Sequence, residues 1–445
     1  MARKRPINAE VPPLEGGLEE TQPAAAQRPA AAQRPEAAKP PAKTRRPVPL
    51  ALKLIAAAVA IAIVFVLVAI LGGTGGEKQP APGPAPGGTE ANAKPSATAA
   101  AAEDLGFPAF ATKNTTRVGG SDPASNAAAV ALAVFPSTND EQRPGAVTLV
   151  DEGDWRSAIA AAVLMAAPVR APILISGPDG APEPTAQALS ALERREGEVE
   201  TRAFLVGNAE APDGLRTSRL RGSTPAATAA AIARQRNRLF SGAPEHIVIA
   251  SADQPAFAMP AAAWAARSGD PVLFADRNRL PAPTAAALRR TPEAPVYVLG
   301  PESAISAAVV KEIDAISKRV TRVAGDDPAA NSVAFARYFD SGFGWHIVDP
   351  GHGFVVARED SPLDAAAAAP LSASGTWGPL LVSDDADTLP PVLRDYLLDV
   401  KPGYTDNPTR AFYNHVWIIG DQEAISVNEQ SEIDALAELA KIGGP

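Results

Sequence analysis

"TRVGGSDPASNAAAVALAVF", Thr116 to Phe135, decides how this chain is read, because the phrase returns twice. "SRLRGSTPAATAAAIARQRN" starts at Ser218 and "TRVAGDDPAANSVAFARYF" at Thr321. The arginines are Arg117, Arg219 and Arg322, 102 and 103 residues apart. A glycine follows each after three positions (Gly120, Gly222, Gly325) and a proline after six (Pro123, Pro225, Pro328). A fixed period of this length marks a triplicated structural unit. Each phrase predicts a short strand carrying the arginine and a tight turn at the glycine. Asp122, Thr224 or Asp327 then caps an Ala-rich helix whose first residue is the proline.

Outward from the phrase, each unit repeats one order of elements. A strand ("GAVTLV" from Gly145, "HIVIAS" from His246, "GFVVAR" from Gly353) leads to an Ala-rich helix. A proline-opened strand follows ("PILIS" from Pro172, "PVLFA" from Pro271, "PLLVS" from Pro379), then a further helix. The last strand ends at Gly207, Gly300 or Gly420. Short apolar runs alternating with helices predict parallel strands covered on both faces, an α/β layer fold in three tandem copies. The third copy has no Arg-x-x-Gly strand after it and ends at "SEIDALAELAKIGGP".

The N-terminal quarter is different. Residues 1–49, rich in Ala, Pro and basic side chains, read as a disordered cytoplasmic tail. Leu54–Leu71 is an apolar run without a charge. At ~1.5 Å per residue it approaches the ~30 Å bilayer core, so residues 50–72 are expected to form one transmembrane helix. Lys43, Arg45, Arg46 and Lys53 precede it, which places the N-terminus inside and the repeats outside the cell. A cleaved signal peptide is the rival, but the run is long and no small-residue cleavage site follows it closely. Residues 73–112 read as a Pro/Gly/Ala-rich linker. Its "GGTGGEK" looks like a phosphate loop but has no preceding strand, no Ser/Thr after Lys78 and no following helix. Boundaries of 113–216, 217–319 and 320–445 are expected for the three repeats.

Charge separates the two regions. Residues 1–76 hold ten Lys/Arg and five Asp/Glu; the whole chain is −9, so the remainder is −14. That acidity argues against nucleic-acid binding. Cysteine is absent and the four histidines show no metal-ligand spacing, so no metal site or cofactor is expected.

The landmarks together resemble the cell wall binding repeat 2 family, whose domains occur in threes on bacterial surface proteins. "PILI", "PVLF" and "PLLV" match one of its strand motifs; "VYVLGPESAIS" and "VWIIGDQEAIS" match another, and "AFLVGNAEAP" matches it more loosely. The resemblance covers roughly residues 116–445. It departs at the opening pattern, where Pro-Ala stands in all three copies for an arginine and a tyrosine of the family. The family's threonine is kept as Thr228 but becomes Asn126 and Asn331, and its aspartate before the second helix survives at Asp364. The resemblance implies non-covalent binding of a cell-wall glycan or secondary wall polymer on the outer side of the cell envelope. The alternative is an envelope scaffold that keeps the fold and binds a protein partner.

Five residues are binding candidates. Arg117, Arg219 and Arg322 sit near a glycine turn and a helix N-terminus, where an anionic polymer can be clamped. The competing and preferred role is internal, against carboxylates or carbonyls of the same unit. Trp345 and Trp377, in glycine-containing loops, are candidates for stacking on sugar rings, whereas Trp264 and Trp417 are expected in the core. No nucleophile elbow, phosphate loop or zincin motif is present, so no catalytic residue is expected and the chain is not read as an enzyme.

Overall fold

The computed structural model describes residues 111–192, 202–374 and 377–443, all within one compact unit, Ala91–Pro445. The N-terminal tail, the apolar run Leu54–Leu71 and nearly all of the linker lie outside the described residues. Among the described residues no helix is long and apolar enough to cross a membrane.

Strand β1 (Thr115–Val118) carries Arg117 and turns into helix α1 (Pro123–Val134). The first unit continues with β2 (Val147–Val150), α2 (Trp155–Ala161), β3 (Ile173–Ile175), α3 (Glu183–Ala191), β4 (Ala203–Val206) and β5 (Thr217–Leu220). The second runs through α4 (Pro225–Leu239), β6 (Ile247–Ser251), α5 (Pro255–Ala258), α6 (Pro260–Ser268), β7 (Val272–Ala275), α7 (Ala282–Arg290), β8 (Val296–Leu299), α8 (Ala307–Asp314) and β9 (Val320–Val323). The third has α9 (Pro328–Arg337), β10 (Gly353–Arg358), α10 (Pro362–Ala367), α11 (Ala369–Ala373), β11 (Leu380–Ser383), α12 (Pro391–Asp399), β12 (Gly403–Tyr404), β13 (His415–Ile419), α13 (Val427–Ala437) and β14 (Ala440–Lys441). The strands expected from the apolar runs are all present.

They form three four-stranded sheets with one order: β3-β2-β4-β5, β7-β6-β8-β9 and β11-β10-β13-β1. Every pairing is parallel. Helices cover the sheets, so the α/β repeat architecture is the one the apolar runs predict. The strand that the third copy lacks is supplied by β1, which pairs with β13 in the register Arg117↔Ile418. Arg219↔Leu205 and Arg322↔Val298 repeat that register, two residues before Gly207 and Gly300, as Ile418 is before Gly420.

Each Arg-bearing strand therefore completes the sheet that precedes it in the cycle, while the helix after it packs on the next. Helix α1 lies against β3, α4 against β7 and α9 against β11. The repeated phrase is a joint, and the three joints close the units into a ring.

The ring is held at its centre by the Ala-rich helices α2, α6, α10 and α11, which pack on one another. Ala160, Ala161, Ala261, Ala262, Ala263, Ala366 and Ala367 there are at most 1 % exposed. Alanine is the strongest helix former, and its single methyl lets helix axes approach closely. The abundance of alanine thus has a packing role here.

The joint's local chemistry follows the sequence. Asp122 accepts from the amides of Ala124 and Ser125, Thr224 from Ala227 and Asp327 from Ala330, each with proline at the first helical position. The glycines permit the tight turn, and the physical reason is space. Gly222 and Gly325 have ordinary φ, but a Cβ on them would lie 2.4 Å and 2.2 Å from the backbone of Ala227 and Ala330. They are required by the close approach of the turn to the helix, not by a left-handed conformation. The family's threonine position closes the same turn: Gly120 donates to Asn126 Oδ1 (2.7 Å), Gly222 to Thr228 Oγ1 (3.0 Å) and Gly325 to Asn331 Oδ1 (3.4 Å). Asn therefore replaces Thr without loss of the bond.

Candidate binding groove

The three arginines all point inward to the chain's own carbonyls. Arg117 is 2 % exposed, and each of its five N–H donors has an acceptor. Its Nη1 donates to Gly420 O (3.1 Å) and Asp421 O (2.5 Å), and its Nη2 to Ile425 O (2.5 Å) and Gln430 Oε1 (2.8 Å). Nε donates to the same Oε1 at 3.2 Å. Arg322 donates to Gly300 O (2.5 Å) and Ile305 O (2.7 Å). Arg219 donates to Gly207 O (3.2 Å) and Ala209 O (3.0 Å) and pairs with Glu210 at 2.8 Å. Burial holds the pKa of Arg117 and Arg322 below the usual arginine value, opposed by Asp421 and Glu429 around the first and Glu302 around the second. The Arg-x-x-Gly phrase and the "LGPESAIS"-type loop thus belong together because the arginine of one fastens the carbonyls of the other. Arg117 has no donor left for a polymer. Arg322 is half-buried, and Arg219, with its side chain 35 % exposed, retains the most open surface of the three.

Trp345 and Trp377 do come together. Their ring centroids are 6.4 Å apart, Trp345 is buried and Trp377 is 36 % exposed. Trp264 is in the core as expected and touches Trp345 at 5.5 Å between centroids; Trp417 is half-buried.

A different set of residues builds a concavity where the first and second units adjoin. Two adjoining pockets of about 420 and 560 Å³ share Arg156, Ser223, Thr224 and Pro225 and form one groove. Its walls are loops that follow the carboxyl ends of parallel strands: Asp151 and Asp154 after β2, Asn208 after β4, Arg221 to Thr224 after β5, Asp253 after β6 and Asp276 after β7. Open α/β sheets place ligands outside these strand ends. Arg156 bridges the units by donating to Ala252 O (2.7 Å), with its guanidinium 4.5 Å from the Trp155 ring centroid.

Most of the groove's carboxylates are already used. Asp154 caps α2 through Ser157, Asp253 accepts from the Arg277 amide, and Asp276 pairs with Arg279. Arg221 is exposed and forms no ion pair among the described residues. The groove is mixed in charge, with three arginines (Arg156, Arg221, Arg279) against four aspartates (Asp151, Asp154, Asp253, Asp276), and Arg221 is the guanidinium left to hold hydroxyl, carbonyl or phosphate oxygens. The signal for it was the "RLRG" of the second phrase: Arg221 stands where the other copies have Gly119 and Ala324, and Ser223 where the third has Asp326. The three joints share a backbone but not a charge, so they are not three copies of one site.

Residues 219–310 match the family of cell wall binding domain 2. The match starts at the strand that leads into the groove. Among solved structures, Cwp8 from Clostridium difficile superposes with a TM-score of 0.56 at 19% identity, over 73% of this chain and 52% of that one. Cwp6 from Clostridium difficile gives a TM-score of 0.58 at 19% identity, over 73% and 48%. The chain spans about half the length of each. At this identity the likeness establishes the fold. No curated protein matches the chain. The family match supports association with the cell wall and a place at the cell surface or wall.

Proposed function

We propose that this chain binds a wall glycan or secondary wall polymer non-covalently through the groove between its first and second units. The observation that carries this reading is the meeting of Arg156, Arg221 and Arg279 around one concavity, with Arg221 and Arg279 inside the segment, residues 219–310, that matches the wall-binding family. Away from residues 1–76 the chain is −14, which repels an anionic polymer at long range. At contact distance the groove's four aspartates are bonded within the chain, and the exposed Arg221 is the charge that meets the polymer. In this reading the protein is not an enzyme, and the apolar run Leu54–Leu71 anchors it in the membrane with the repeats outside.

The test is co-sedimentation of the full chain, in detergent, with isolated cell walls. Arg221→Ala combined with Arg279→Ala is expected to release the protein into the supernatant while leaving its unfolding midpoint unchanged, because both side chains are exposed. Binding should weaken as salt rises. Wild-type protein that stays in the supernatant at every salt concentration refutes wall binding. The second reading, an envelope scaffold, then leads; it is favoured by the exposed neighbours Phe412 (70 %) and Tyr413 (52 %).

A further inference from the structure

Trp264, Trp345 and Trp377 come from three separate stretches and meet where the second and third units adjoin. With Glu245, His246, Arg267 and Asp270 they line a pocket of about 300 Å³. His246, Asp270 and Trp377 lie just before β6, β7 and β11, so the pocket is at the amino-terminal strand ends, whereas the Arg221 groove is at the carboxyl ends. Its size is at the small end of ligand pockets and suits a single ring.

The pocket's floor is fixed. The side chain of Asp270, only 3 % exposed, accepts from the His246 amide (3.0 Å) and from Trp264 Nε1 (2.9 Å) and lies 3.2 Å from His246 Nδ1. The other ring nitrogen of His246 is 3.3 Å from Ser341 O. The rim, in contrast, has unused polar groups. Glu245 is exposed and forms no ion pair among the described residues, and neither does Arg267, whose guanidinium lies 4.0 Å from the Trp377 ring centroid. Trp345 Nε1 is buried and finds no acceptor among the described residues.

We propose that this pocket is a second subsite that takes one uncharged pyranose ring of the wall glycan. Indole surfaces cover the apolar C–H face of the sugar, and Arg267 and Glu245 bond its hydroxyls. The two free charges are of opposite sign, so they favour neither an acidic nor a basic sugar. An organic cation is disfavoured because Arg267 already lies over Trp377. The proposal rests on the wall-binding reading for the origin of the sugar, while the chemistry of the pocket stands apart from it.

The experiment is saturation-transfer NMR on the full chain in detergent. The probes are methyl β-glucoside and N-acetylglucosamine, with glucuronate as the charged comparison, each raised to about 50 mM, well above a millimolar Kd. Both neutral probes are expected to bind, and Trp377→Ala to weaken them by roughly tenfold. Trp377→Phe should restore part of the loss, and Glu245→Gln should weaken binding without lowering the unfolding midpoint. Absence of neutral-sugar binding in the wild type, unchanged binding in both Trp377→Ala and Glu245→Gln, or preference for glucuronate overturns the subsite. Sedimentation with walls, run in parallel, tells the two failures apart: loss of wall binding with retained sugar binding condemns the groove reading alone, and the converse condemns the subsite alone.

Discussion

Arg117 donates two hydrogen bonds, of 2.8 and 3.2 Å, to the Oε1 of Gln430, 313 residues further along the chain. Through this pair the first described strand is fastened to the last long helix. Gln430 is itself buried and donates onward to Thr115 Oγ1 at 2.9 Å. The contact closes the ring of three units, while the bond common to all three arginines, to the carbonyl of Gly420, Gly207 or Gly300, accounts for their shared register.

The three arginines should therefore differ in stability, not only in binding. Arg117→Ala leaves the carbonyls of Gly420, Asp421 and Ile425 without their shared donor and is expected to cost about 3 kcal/mol or more. Arg322→Ala should cost less, since it frees two carbonyls in a half-buried site. Arg219→Ala should cost under about 1 kcal/mol, because its Glu210 partner is half exposed. Denaturant unfolding of the three variants checks the order; equal effects would refute the clamp.

Closure of the ring also predicts tolerance to rewiring. Lys113 Nζ is 2.7 Å from Glu438 Oε1, so the two ends of the described chain lie close together. Joining them by a short linker and opening the loop between β4 and β5 should give a permutant with the midpoint of the parent. Removing residues 111–118 instead strips β13 of a neighbour and should abolish cooperative unfolding. Calorimetry distinguishes these outcomes, and a deletion variant that melts like the parent would show that β1 adds nothing.

The turn glycines give a graded series. A methyl on Gly325 or Gly222 meets backbone atoms at 2.2 and 2.4 Å, whereas on Gly120 the nearest atom is Ser125 Cβ at 3.2 Å. Alanine at either of the first two positions is expected to cost about 1–3 kcal/mol by overpacking, and less at Gly120. Thermal unfolding of the three single variants measures this.

The sequence made the strands, helices and caps legible because each rests on local signals: apolar runs for β2 to β4, Asp-Pro before α1, alanine for the central helices. It did not reveal that β1 belongs to the sheet of the third unit. Pairing partners are chosen by three-dimensional closure, and nothing in "TTRV" distinguishes a neighbour at Ile418 from one at Leu149. The site was less legible. Arg117 and Arg322 were conspicuous for their period, and their period reflects an internal clamp. The residues that line the groove, Arg156, Arg221 and Arg279, have no period, because a surface charge in one joint alone leaves no repeat to read. Trp345 and Trp377 stood out by loop context, but their convergence with Trp264 depends on how two units pack.

Two buried carboxyls in the third unit predict how stability depends on pH. Glu429 is 1 % exposed; Ser383 Oγ donates to its Oε1 at 2.8 Å, and its Oε2 has no partner among the described residues. Burial raises its pKa from 4.5 to about 7, with Ser383 and Arg358 opposing and Asp385 and Asp384 adding to the rise. Asp364, which accepts from Asn126 Nδ2 at 2.9 Å, is raised by burial from 3.8 to about 6. In each case the folded protein binds a proton more tightly than the unfolded chain. Stability from these groups is therefore full at low pH and falls as pH rises from the unfolded to the folded value, 4.5 to about 7 for Glu429 and 3.8 to about 6 for Asp364. Glu429→Gln keeps an acceptor for Ser383 and cannot ionise. It should be more stable than wild type at pH 8 by about 1–3 kcal/mol, with the difference shrinking towards pH 5. Unfolding midpoints measured from pH 4.5 to 8 test this, and two curves that stay parallel over that range would show that the pKa of Glu429 is the same in the folded and unfolded chain.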